Sequence, residues 1–594
     1  MTIPPLVTFY YSATLSVPNE FTGVFIGRHA RPIAGRLAGA ITRCIGGADM
    51  TPDQLCAEAE RQQRGDNPGR AETLYRAALA LDPNNASALY GLGRLLNAHG
   101  HAEPALALIE QAVRLKPRHA GYREALGQTL ARAGRHGEAI AAFRDALRLE
   151  KSARANINLG AALAQTGEHA QAAQCFRRAL TFDPTDIRTT IALAIACQRA
   201  GDGGGAEQAL RRAVQLSPKD ATLISDLAIL LHRRGRAAEA AAQFDNALSI
   251  APNDPKILAR HAVCLRDSGD LAASEAQFRA AIAQAPDDPL LHYGLAFTLL
   301  TAGRLRAGFA EHEWRFRAHN IDRPATAPAW SGKPDPEGTL LITAEQGQGD
   351  VIQFLRYVPV AAQRMRIALE MYPPLHRLAT TLPGVTTLLR EGEPYPPHQA
   401  VCPLLSLPRA LDLDETPLPM DPADPYLRAD PQRAANWSAR LACLPGRKIG
   451  LAWAGAPNFA FDNRRSIPPA LLDSLALENI SFVSLQKDPA ATPNIPLTDH
   501  TADLTDFADT AALIANLDLV IAVDTAVAHL AGAIGKPVWL LNRFDADWRW
   551  GRVGETSAWY PTLRQFRQPV MGDWPAVIAA VRDALTQPPP PHTR

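Results

Sequence analysis

Proline recurs at positions 83, 117, 184, 218, 252 and 286 of this 594-residue chain, at intervals of 34, 67, 34, 34 and 34 residues. The 67 is two repeats with one residue missing, and Lys151 takes the proline position in the gap. A fixed period of this length constrains the fold strongly, because each unit must bury its apolar face on its neighbours. A second series precedes the first: Ala78, Ala112, Ala146, Ala179, Ala213, Ala247 and Ala281. A third comprises Ala71, Ala105, Ala139, Ala172, Ala206, Ala240 and Ser274. Between the two stand Tyr75, Ile109, Phe143, Phe176, Leu210, Phe244 and Phe278. Gly93, Gly127 and Gly160 mark the first helix of three repeats, with Ala194, Ala228 and Ala262 in later ones. This predicts an antiparallel helix pair per repeat. Small residues admit close approach, the large apolar residue fills the space beside them, and proline ends the second helix because it cannot continue the ladder. Glycines between the helices, as in Ala133-Gly134, permit the tight turn.

Over residues 52–320 the pattern resembles the tetratricopeptide repeat family. Leu290 to about Arg317 is expected to cap the stack, with Trp314 and Phe316 on a helix that has no following partner. The resemblance implies a superhelix whose groove binds peptides or protein segments. Alone it describes a scaffold. The arginines on its helix faces read first as a solvated surface, and second as a groove for acidic or extended peptides.

Composition narrows the rest. Hydrophobic residues make up 47% and charged residues 20%, enough apolar surface for several packed domains. Lys+Arg number 61 against 60 Asp+Glu, for a net charge of +1, which argues against a general binder of nucleic acid or membrane surface. Seven cysteines lie far apart, with no CxxC pair, so a disulfide framework or structural zinc is not expected and a reducing compartment fits. No apolar run reaches 18 residues, and residues 1–30 lack a signal-peptide pattern; a soluble cytoplasmic protein is the expectation. Residues 1–51 form an irregular tail, either flexible or an extension upstream of a native start at Met50.

Helical period stops in a linker, 321–337, carrying Pro324, Pro328, Pro334 and Pro336. Short apolar runs then alternate with helical stretches: Thr339–Thr343, Val351–Ala362 as a helix, Arg366–Met371, Lys448–Trp453, Ile480–Leu485, Leu517–Val523 and Pro537–Leu541. The expected fold is α/β, two doubly wound blocks at 338–430 and 431–586, followed by a Pro-rich tail, 587–594. Ligands of such sheets bind beyond the carboxyl ends of the strands.

Three loops there carry candidate chemistry. Gly347-Gln348-Gly349-Asp350 joins a strand to a helix, with Asp350 at the expected N-cap; beyond capping, its carboxylate is a candidate general base. Asp524-Thr525-Ala526-Val527-Ala528-His529 follows an apolar strand and opens a helix. Its free N–H groups suit phosphate, and Thr525 and His529 share a face; the plain alternative is a capped helix with a core histidine. Asp462-Asn463-Arg464-Arg465-Ser466 offers guanidiniums to phosphate or is simply a solvated loop. Gln486 ends a strand facing the same crevice. The triplets Asp412-Leu413-Asp414 and Asp545-Ala546-Asp547 do not follow convincing strands, so no metal is assigned, and Trp548-Arg549-Trp550 reads as packing.

Together, Gly347-Gln348-Gly349-Asp350-Val351, Arg465-Ser466-Ile467-Pro468 and Asp524-Thr525-Ala526-Val527-Ala528-His529 resemble the family 9, heptosyltransferase-like glycosyltransferases, over about 338–585. The resemblance implies a GT-B fold of two Rossmann-like halves and sugar transfer from a nucleotide sugar to an acceptor hydroxyl, with inversion and without metal or other cofactor. It implies Asp350 as base, and donor binding by Asp524, Thr525, Ala526 and His529, with Arg465 in place of the family's lysine; Ala526 stands where glycine is common. Gly347, Gly349, Ser466 and Gln486 complete the candidate donor site. The fusion of repeats to such a half also resembles, in architecture, the protein O-linked N-acetylglucosamine transferases, which implies a protein acceptor in the groove. Two rivals remain: a non-catalytic scaffold with a degenerate glycosyltransferase-like domain, and a lipopolysaccharide or glycan-assembly enzyme.

Overall fold

The computed structural model describes residues 50–322, 326–413, 421, 424–456, 462–487 and 491–587. The N-terminal stretch before Met50, Asp414 and most of the Pro-rich tail, each singled out above, lie outside them. The described residues fall into two compact units that meet in sequence at Leu230/Leu231.

In the first unit helices pair in succession: Pro52–Arg64 with Pro68–Leu81, Ala86–Ala98 with Ala102–Leu115, Ala120–Arg132 with His136–Leu149, Ala153–Gln165 with His169–Leu180, and Ile187–Arg199 with Gly203–Leu216. Side chains of Thr51, Asn67, Asn85, Ser152, Asp186 and Asp202 accept N–H bonds from the first turn that follows each. The small-to-large pairing expected from the repeat is physical contact. A Cβ on Gly127 would lie 2.6 Å from the Phe143 ring, which is why no side chain fits there. Gly134 turns between helices at φ 75°, in the left-handed region.

The second unit opens with further helices, Ala237–Ile250, Pro255–Ser268, Leu271–Gln284, Pro289–Thr301, Leu305–His312 and Arg315–Ala318. The last of these are not left without a partner, contrary to expectation. Leu300, Leu305 and Phe309 join the core of the sheets, and Phe309 meets Phe354 and Trp548 edge-on at 5.8 and 5.9 Å. Arg315 is fully buried and donates to Glu345 at 2.6 Å, Ser406 at 2.7 Å and Glu313 at 2.9 Å.

Two parallel sheets follow. The first contains β1 (Asp335–Thr343), β2 (Met365–Met371), β3 (Val385–Arg390) and β4 (Ala400–Pro403), in the order β3-β2-β1-β4. The second contains β5 (Arg447–Ala452), β6 (Ile480–Ser484), β7 (Leu497–Thr498), β8 (Leu519–Val523), β9 (Val538–Asn542) and β10 (Leu563–Arg567), in the order β10-β9-β8-β5-β6-β7. Each sheet winds outward in two directions from its middle. The reversal falls at β1/β4 in one and β5/β8 in the other, the position where open sheets bind ligands. The loops after β1, β5 and β8 are the three singled out from sequence. β3, β4, β7 and β10 were not foreseen: β7 has two residues, β4 has four, and β3 and β10 carry exposed polar residues.

Two local expectations are corrected. Val351–Ala362 is not one helix; Gln348–Phe354, a 3-10 turn and Val358–Ala362 succeed one another, because Pro359 lacks the N–H that continuation needs. Gly347, not Asp350, is the N-cap. Asp350 sits one turn in and accepts the Gly347 N–H at 3.0 Å. No helix among the described residues is long and apolar enough to cross a membrane.

Candidate active site

The loop after β1 enters its helix through Gln346, which holds a left-handed φ of 62° while its carbonyl accepts the Tyr372 hydroxyl at 3.2 Å. Asp350 is a quarter exposed and spans to the other sheet: its Oδ1 accepts Arg549 Nη2 at 2.5 Å. Arg549 also donates to Gln353 Oε1 at 2.6 Å and Asp547 Oδ1 at 2.8 Å, and lies over the Trp548 ring. A guanidinium forked between two carboxylates in a buried site stays charged.

The helix after β8, Ala526–Ala533, presses against the Gln348–Phe354 helix. A Cβ on Gly349 would lie 3.0 Å from His529 Cδ2 and 3.5 Å from Ala526 Cα, so a larger residue would press on the imidazole. His529 is buried, with Nδ1 3.0 Å from the Tyr560 hydroxyl and Nε2 3.9 Å from Asp524. Burial, and then the nearby Arg549 charge, push its pKa down to about 3. It is therefore neutral near pH 7 and brings no positive charge to a phosphate, only a hydrogen-bonding imidazole. Burial and the neighbouring Asp547 raise the Asp524 pKa. Burial also opposes ionisation of Asp547, but Arg549 outweighs it and the net shift is downward. Thr525 starts the helix without capping it; its hydroxyl donates to the Val523 carbonyl at 3.2 Å.

The loop after β5 is held from three sides. Gln486 Oε1 accepts the N–H groups of Trp453 and Ala454 at 3.1 and 2.8 Å. Ser466 Oγ accepts the Gly455 N–H at 3.0 Å and donates to Asp462. Arg465 packs on Gly455, donates to Asp462 at 3.1 Å, and reaches the Asp524 carbonyl at 2.9 Å. All ten candidate residues thus lie on one path of contacts: Gln486, the 453–455 loop, Ser466 and Arg465, Asp524 with Thr525, Ala526 and His529, then Gly349, Asp350 and Gly347.

Arg549, Asp547, Gln353 and Tyr560 belong to this path and were not among the expected site residues. Their signal was present in part, since Asp545-Ala546-Asp547 and Trp548-Arg549-Trp550 follow β9 at a sheet end. Trp548 and Trp550 are buried, as packing residues should be. Asp545 is engaged by Arg464 and Asp547 by Arg549. Among the described residues no cluster of three or more His, Cys, Asp or Glu is arranged to hold a metal.

Residues 501–543, which include Asp524–His529, match the family model of glycosyltransferase family 9 (heptosyltransferase). Residues 65–128 match a tetratricopeptide repeat model, and 119–313 that of the cilia and flagella-associated protein 70 C-terminal domain. Protein FlbA of Caulobacter vibrioides is 29% identical over 333 residues, 49% of this chain and 54% of FlbA. The match thus spans about half the length of that curated relative. Similar solved structures include MamA from Desulfovibrio magneticus (20% identity, 28% of this chain and 95% of that one, TM-score 0.27) and a tetratricopeptide repeat protein from Thermus thermophilus (24%, 32% and 100%, TM-score 0.25). Tetratricopeptide repeats thus precede two parallel sheets consistent with the Rossmann-like halves of a glycosyltransferase, and the second sheet contains the short family 9 match.

Proposed function

We propose that the sheet-bearing half is a nucleotide-sugar-dependent glycosyltransferase, inverting and independent of metal, that acts in the cytoplasm on a protein acceptor recruited by the repeats. One observation carries the reading. A carboxylate from the first sheet, Asp350, stands at a switch-point loop and is tied through Arg549 to the loop after β9, beside the helix start that follows β8. In this reading Asp350 removes the proton from the attacking acceptor hydroxyl. That hydroxyl approaches the carboxylate beside its bonds to Gly347 and Arg549. The departing nucleoside diphosphate lies across the Asp524–Ala526 turn and Arg465. Helix-end N–H groups and fixed cations there stabilise its charge without reorganisation. His529 fixes the two helices against each other and offers a neutral imidazole.

The test is a panel of nucleotide sugars with the full-length chain, following diphosphate release and acceptor mass. Asp350→Asn should retain donor binding and lose transfer. Transfer at the wild-type rate by Asp350→Asn would overturn the assignment of the base.

The salt link from Asp350 to Arg549 favours one second reading, a non-catalytic scaffold, since it occupies part of the carboxylate a base would use. Under that reading the wild-type chain binds donor and turns none over.

A further inference from the structure

Guanidinium groups crowd the carboxyl ends of β5, β9 and β10. Arg464, Arg543, Arg552 and Arg567 come from the second sheet, and Arg233 and Arg266 from the repeat helices. Four carboxylates bear on them: Asp545 and Asp267, and, through Arg543, Asp524 and Asp547. Asp545 is engaged by Arg464, with Arg543 at 3.7 Å; Asp267 has Arg266 at 3.3 Å and His232 at 3.8 Å. Among the described residues, Arg233, Arg552 and Arg567 have no carboxylate within ion-pair distance. Arg552 donates only to backbone carbonyls, those of Asp267 and Phe544. Arg567 Nη2 donates to Gln565 Oε1 at 2.9 Å and the Trp550 carbonyl at 3.3 Å, while its Nη1 is buried with no acceptor. The adjacent Gln568 Nε2 is buried and without an acceptor too.

These cations also oppose one another. Burial, and then Arg464, lower the Arg233 pKa; burial, and then Arg552, push Arg567 down to about 10. Asp267 offsets Arg233 and Arg552, and Asp545 offsets Arg552, only from beyond ion-pair distance. A buried charge without a close counter-charge is costly, and such a cluster gains when an anion enters. Planar guanidiniums with open donors match the oxygens of phosphate.

We infer that Arg233, Arg552 and Arg567 form one composite site for a multiply charged, phosphate-type oxyanion, built jointly by a repeat helix and the second sheet. The repeats then do more than recruit a partner, because Arg233 contributes directly to ligand binding. This site does not depend on the function proposed above, which lays the donor's diphosphate across the Asp524–Ala526 turn and Arg465.

The experiment is thermal denaturation of the full chain with millimolar inorganic pyrophosphate, at low and high salt. The wild type should gain several degrees, and less at high salt. Arg233→Gln and Arg567→Gln should lose at least two-thirds of that gain, while their unliganded Tm stays level or rises as repulsion is relieved. Arg233→Lys, which keeps the charge, should retain most of it, and Arg148→Gln on the exposed repeat surface all of it. The site is overturned if pyrophosphate leaves the wild-type Tm unmoved, or if both Gln variants keep the full gain. The glycosyltransferase reading stands separately: sugar turnover with no pyrophosphate effect sinks only the composite site, and a pyrophosphate effect without turnover sinks only the enzyme.

Discussion

The two compact units treat charge in opposite ways. In the repeats, ion pairs such as Arg76–Glu72, Arg135–Glu138 and Arg211–Glu207 run along single helices, with at least one partner well exposed. Such pairs contribute little. In the unit that begins at Leu231, Arg315, Arg549 and Asp547 are taken out of water and held by partners distant in sequence. The repeats draw their stability from apolar packing and keep most of their charges in exposed pairs, with Glu124, buried and paired to Arg154 of the next repeat, as an exception. The sheet half spends stability on charges it cannot relocate, and those charges surround the candidate site.

The strongest challenge to this contrast is Arg549→Ala. It removes the cation that Asp350 and Asp547 share, leaving Arg543 as a more distant one for Asp547, and should cost about 3–5 kcal/mol in urea unfolding of the full chain. A loss below about 1 kcal/mol would put this pair in the same class as the repeat pairs. In the repeats the comparable loss should come from packing. Phe143→Ala empties the space against Gly127 and should cost about 3 kcal/mol or more, read from the same unfolding curves. A further effect follows pH. With His529 at about 3 in the fold and near 6.5 when unfolded, the unfolded chain binds more protons between those values, so stability falls as pH drops from 6.5 towards 3. His529→Gln should flatten that slope in Tm measured against pH; an unchanged slope would mean that the imidazole is already solvated. Smallest of all is Glu138→Ala, which removes an exposed partner of Arg135 and should leave the unfolding midpoint where it is.

Much of the fold was legible in the residues, and the exceptions have physical causes. The repeat series is legible because one contact, Gly127 on Phe143 and its equivalents at Gly93 on Ile109 and Gly160 on Phe176, is written in three units, with alanine in the glycine's place in later ones. The apolar central strands β1, β2, β5, β6, β8 and β9 are legible because both faces are buried. Edge and outer strands are not, since β3 and β10 show water the same polar residues a loop would. In the site, Asp350 and the Asp524–His529 turn are marked by glycines and helix starts. Arg549 is not, because its bond to Asp350 joins residues 199 apart and leaves no local pattern. The preference of His529 for the neutral form was equally invisible, as it depends on how deeply Tyr560 and Trp550 enclose the ring.

Arg315 carries a consequence for how such a chain is partitioned. Its guanidinium is sealed between the end of the helical array and the first sheet, tied to Glu313 on one side and to Glu345 and Ser406 on the other. A cut between 318 and 335 would part Arg315 from two of the groups that compensate its burial, Glu345 and Ser406, and leave Glu345 without its cation in the loop that leads to Asp350. The last helices are therefore not a detachable handle. Anyone grafting this sheet half onto another adaptor would have to carry the stretch from Pro289 onward with it, as part of the same folding cassette.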